Sequence, residues 1–147
     1  MSTRRKLAGP ARILVAVYAV LAIAATGRSV FQIIDRFDEA PVAFSLSAVA
    51  AIVYLVATLA LAFRRDRVAW VTIGFELLGV LVIGGISVFA PDLIGLGDVA
   101  LLDRATGREG TVWALFGLGY LCIPLVLPVI GLLYLSRGRR AAVAAAN

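Results

Sequence analysis

Histidine is absent from this 147-residue chain, and cysteine, methionine and lysine occur once each. Without imidazole the chain lacks both the commonest general base near neutral pH and the commonest metal ligand. The single thiol, Cys122, cannot close a disulfide within the chain, and inside an apolar stretch it reads as a small filler rather than a nucleophile. Charge is also scarce, at 16% of residues against about 25% in an ordinary soluble domain. No glycine-rich nucleotide loop follows a strand pattern, and no serine sits in a nucleophile elbow. Zinc, haem and catalytic-triad enzymes are thereby set aside. The expectation is a protein that is not an enzyme, with no cofactor and no metal.

What fills the chain instead is apolar: 62% of residues are hydrophobic and the mean hydropathy is +1.00. A hydrocarbon core of about 30 Å needs about 20 helical residues, and every backbone polar group within it must bond inside its own segment. Four stretches qualify, at 13–34, 40–63, 68–90 and 112–134; the first carries only Arg28, the third only Glu76, and the others no charge. Pro10 and Pro41 suit helix starts, and Pro91 ends the third stretch. The predicted fold is all-α, a membrane four-helix bundle forming one domain over residues 1–147. Trp70 and Trp113 fall near span ends, where an amphipathic ring prefers the headgroup level.

Charge sets the direction. One side gathers Arg4, Arg5, Lys6, Arg12, Arg64, Arg65, Arg67, Arg137, Arg139 and Arg140 against Asp66, a net +9; the other sets three basic residues against seven acidic ones, a net −4. Both termini are therefore expected in the cytoplasm, with the protein multi-pass in the cell membrane. The same clustering beside apolar runs argues against nucleic acid as a partner. Arg4-Arg5-Lys6 followed by an apolar run and Ala22-Ile23-Ala24 imitates a secretory signal. Apolar character resumes beyond Arg28, so the segment is read as retained and spanning. The segment 91–111, with four glycines and three aspartates, reads as a solvated outer loop; its carboxylates lack the spacing of a calcium loop. A short echo, Val17-Tyr18-x-Val20 against Val53-Tyr54-x-Val56, is no more than composition explains.

Helices in lipid gain little from Leu against Leu, so small and polar residues mark contact faces. Such stripes are Leu21, Ala24, Ala25, Arg28, Gln32 and Asp35 in the first span, and Ser47, Ala50, Ala51, Tyr54, Ala57 and Thr58 in the second. Ala69, Thr72, Glu76 and Gly79 form the third, and Gly117, Tyr120 and Pro124 the fourth. Glu76 is the sharpest feature. It lies about 12 Å into its span, deep enough that it must be protonated, paired or hydrated; Tyr54, Thr72 and Arg28 are its candidate partners. Arg28 either snorkels or turns inward to pair with Glu76 or clamp a phosphate. Pro124 and Pro128, one turn apart, are expected to interrupt the fourth helix and free the carbonyls of Tyr120 and Pro124. The candidate substrate or proton site is thus Glu76, Arg28, Tyr54, Tyr120 and Thr72.

The strings Thr26-Gly27-Arg28-Ser29 with Phe31-Gln32, Glu39-Ala40-Pro41, Phe44-Ser45-Leu46-Ser47 and Pro124-Leu125-Val126-Leu127-Pro128 resemble a family of small four-span membrane proteins of actinobacteria. The resemblance implies topology and origin, consistent with thirteen Arg to one Lys, but no activity. Small multidrug transporters are less similar, since their membrane Glu lies in the first span and they are shorter. The leading expectation is a non-catalytic membrane component that associates with itself or a larger envelope partner, with membrane lipids around it. The alternative is a small transporter or lipid-binding protein using Glu76 and Arg28.

Overall fold

A computed structural model describes residues 9–106 and 110–144; the basic residues Arg4, Arg5 and Lys6, and Arg108 and Glu109 of the outer segment, lie outside them. The described residues are helical throughout their regular structure. Three long helices, α1 (Gly9–Asp35), α2 (Pro41–Ala62) and α3 (Asp66–Phe89), are each long and apolar enough to cross a membrane. They match the first three of the four expected spans, with Pro41 in the first turn of α2 and α3 ending just before Pro91. α1 packs on α2, and α2 on α3. Ala22 and Ala25 of α1 and Ala50, Ala51 and Ala57 of α2 are buried, so short side chains let these backbones approach. Leu, Ile and Val project outward on all three helices, as lipid-facing positions do.

The outer segment differs from a purely solvated loop. A 3-10 turn at Pro91–Ile94 and a short helix α4 (Leu101–Thr106) fold it onto the bundle, and Ile94 and Leu96 pack with Ala40, Ala43 and Phe44. Arg104 binds the turn together, donating to the carbonyls of Val99, Gly97 and Ser87. Burial of Ile94 and Leu96 against the start of α2 draws this segment off the solvent.

The fourth span departs most from expectation. Residues 112–134 do not form one helix. A 3-10 segment, Ala114–Tyr120, meets α5 (Ile123–Ala144) at a bend of 97°. The backbone of Leu115, Phe116, Gly117, Leu121 and Cys122 is left-handed, a region costly for any residue but glycine. Pro124 therefore opens α5 rather than interrupting it, because its ring blocks continuation from the preceding turn but is tolerated in the first turn. Pro128 does lie inside the helix. From Ile123 to Leu135 the apolar part of α5 is about 20 Å long, short of a 30 Å hydrocarbon core.

Non-helical backbone in a helical membrane protein is tolerated where protein covers it. Thr111, Val112, Trp113, Ala114 and Gly117 are all buried. Two glycines of α3 make room: a Cβ at Gly79 would lie 2.8 Å from the Trp113 ring, and one at Gly84 2.6 Å from Phe116. Ser87 secures the segment, accepting from the Leu115 N–H at 2.7 Å while donating to the Gly84 carbonyl. Trp113 is 2% exposed, so it belongs to the core and not to the headgroup level; a ring with one N–H goes inward when a buried hydroxyl is there to receive it.

Candidate functional site

Glu76 is fully buried at the centre of the described fold. Its partner is Tyr18 of α1, whose hydroxyl donates to Oε2 at 2.7 Å. None of the three expected partners takes that place. Thr72 instead donates to the carbonyls of Val68 and Ala69 in its own helix, which is the nearest acceptor for a threonine at this spacing. Tyr54 accepts from the indole N–H of Trp113 at 3.1 Å. Arg28 is too far along α1: it lies about 28 Å from the start of that helix, against about 15 Å for Glu76 along α3.

The result is a polar centre to which each major segment contributes. Tyr18 comes from α1, Tyr54 from α2, Glu76 from α3 and Trp113 from the segment before the bend. The Tyr18 and Tyr54 rings face each other with centroids 6.4 Å apart and planes tilted by 50°. α5 closes the side, where Gly131 leaves a notch: a Cβ there would lie 3.2 Å from Ile73 and 3.6 Å from the Tyr18 hydroxyl. The Oε1 atom of Glu76 is buried and has no hydrogen-bond partner among the described residues. The Val-Tyr echo, which composition suffices to explain, supplies the two facing tyrosines.

Sequence reasoning missed Tyr18, although a signal was present. It stands seven residues before Ala25, on the same face, and about 14 Å from the start of α1. α1 and α3 run in the same direction, so that depth matches Glu76. The stripe read from Leu21 onward began one turn too late.

Arg28 and Gln32 form a second cluster toward the other end of α1. Both donate to the Gly110 carbonyl, Gln32 at 3.2 Å, and the Arg28 guanidinium lies over the Tyr120 ring at 5.8 Å. Arg28 is therefore turned inward rather than snorkelling, because the carbonyl and the ring face together replace the solvation that an interface would supply. Gln32 is 2% exposed whereas Asp35 is exposed, so the contact stripe expected to run to Asp35 stops at Gln32. Arg28 Nε and Gln32 Oε1 are buried without partners among the described residues. The structure thus brings Glu76 near Tyr54, brings Arg28 to Tyr120, and keeps these two groups apart.

Two shallow grooves, of about 380 and 340 Å³, lie on the outside of the helices, and neither is lined by Glu76 or Arg28. Such an arrangement of apolar helices of spanning length around a closed polar centre defines a helical membrane protein. No protein-family model, curated protein or solved structure matches the chain.

Proposed function

We propose that this protein is a non-catalytic integral component of a bacterial cytoplasmic membrane. It crosses four times as a four-helix bundle, the bent segment and α5 making the fourth crossing together. Both termini are cytoplasmic, and it acts by associating with itself or with a larger envelope partner. The observation that carries this reading is that the intramembrane polar groups are engaged by the chain itself, Glu76 by Tyr18 and Arg28 by Gly110 and Tyr120. The orientation follows from the basic residues Arg64, Arg65, Arg67, Arg137, Arg139 and Arg140, which fall at one end of the helices. The resemblance to small actinobacterial membrane proteins accords with it. Crosslinking in native membranes followed by mass spectrometry is expected to recover a reproducible neighbour; a solitary chain there would overturn the reading. Single cysteines placed in 91–111 are expected to react with an impermeant reagent from outside intact cells.

One observation favours a second reading, a small transporter or lipid-binding protein: Glu76 Oε1 and Arg28 Nε are buried with no bonded partner among the described residues. Vesicle flux with Glu76→Gln tests it. Unchanged flux across candidate substrates would remove it.

A further inference from the structure

The connection between α2 and α3 combines a trough with a cation at its mouth. Val56, Leu59, Ala60 and Phe63 of α2 and Val68 of α3 line a groove of about 380 Å³, and Arg65 is the sixth lining residue. The local fold explains why Arg65 is there. Arg64 adopts a left-handed backbone with φ of 56°, which ends α2. The Arg65 N–H then donates back to the Ala60 carbonyl at 2.8 Å, and its own carbonyl accepts from Ala69 at 2.9 Å as α3 begins. The backbone of Arg65 is pinned on both sides while its side chain is exposed.

Among the described residues no hydrogen bond or ion pair holds the side chain of Arg64, Arg65 or Arg67, and Asp66 offsets one charge of the three. The groove extends from this end to Val56, about 9 Å along α2 from its last residue, which is the depth of the first part of an acyl chain. The groove at Pro41, Val42, Ser45, Leu46 and Val49 has no charged lining residue and offers nothing to a headgroup.

From the trough and the unspent cation together, we infer that this groove is a binding site for an anionic phospholipid, its acyl chain lying along Val56, Leu59 and Phe63 and its phosphate meeting Arg65. Charge complementarity selects the occupant: Arg65 is the cation that lines the groove, and one Arg near the surface is worth about 1 kcal/mol toward an anionic headgroup. A guanidinium also suits a phosphate by its forked donors. The inference goes beyond the proposed function and requires only that the helices are embedded.

The test is native mass spectrometry of the full chain, stripped of lipid in mild detergent and titrated with phosphatidylglycerol or phosphatidylcholine. One phosphatidylglycerol per chain is expected, retained about fivefold better than phosphatidylcholine, the equivalent of that single contact of about 1 kcal/mol. Arg65→Gln is expected to reduce phosphatidylglycerol to the phosphatidylcholine level and Arg65→Lys to restore part of it. Arg67→Gln, which leaves the groove lining intact, is expected to retain it. Equal losses in Arg65→Gln and Arg67→Gln would mean diffuse attraction to a basic surface and would overturn the site. The wild-type comparison of headgroups stands by itself should a variant fail to fold, and equal retention of the two lipids there ends the proposal.

Discussion

Gly79 of α3 lies under the indole of Trp113 so closely that a Cβ would come within 2.8 Å of two ring carbons. The ring is held there by its N–H, which donates to Tyr54, so it cannot retreat without losing that bond. Gly79→Ala is therefore expected to destabilise the fold by about 1–3 kcal/mol, the usual cost of overpacking, and Gly84→Ala by a similar amount against Phe116. Gly74 and Gly85 on the same helix meet no atom within 4 Å, so alanine there should be neutral or stabilising by about 0.5–1 kcal/mol. Denaturant unfolding in detergent, followed by circular dichroism, separates the two pairs.

Tyr18→Phe removes the donor to Glu76 and leaves both carboxyl oxygens unbonded among the described residues, in a buried site. A loss of about 0.6–1.7 kcal/mol is expected, between the average and the largest value for hydrogen bonds between membrane helices. Glu76→Gln keeps an acceptor for Tyr18 and should cost less. In a double-mutant cycle with Glu76→Leu, additive effects would show that the pair is not coupled.

Two tryptophans should behave differently toward water. Trp113 is 2% exposed, while Trp70 is half-buried with Arg139 over its ring at 6.0 Å. In Trp70→Phe protein the remaining fluorescence is expected to resist iodide and acrylamide. Quenching of Trp113 as strong as that of free indole would place it outside the core.

Strain in the bend gives a prediction of opposite sign. Leu121 has φ of 55° and an exposed side chain that contributes little packing. Leu121→Gly is expected to stabilise by about 1 kcal/mol, the penalty a left-handed non-glycine residue carries. Gly117→Ala should destabilise, since φ is 79° and Pro124 would lie 2.7 Å from the new Cβ. Thermal unfolding of the two variants in the same detergent reads both signs.

Much of this architecture was legible from composition and spacing. Span length, the alanine stripe of α2 and the helix-starting Pro41 are properties of consecutive residues, because hydropathy and the helical repeat act along the chain. The burial of Glu76 followed in the same way from a lone acid in an apolar run. The choice of Tyr18 as its donor, the inward turn of Trp113 and the bend before Ile123 did not. Each depends on which segments face one another at a given depth: α1 beside α2, glycines of α3 opening onto residues 113–116, and a serine of α3 holding the Leu115 N–H. A linear pattern records which groups must find partners in lipid. Only packing in three dimensions decides which partners they find, since hydrogen bonds and close contacts between helices are made by residues far apart in sequence and near in space.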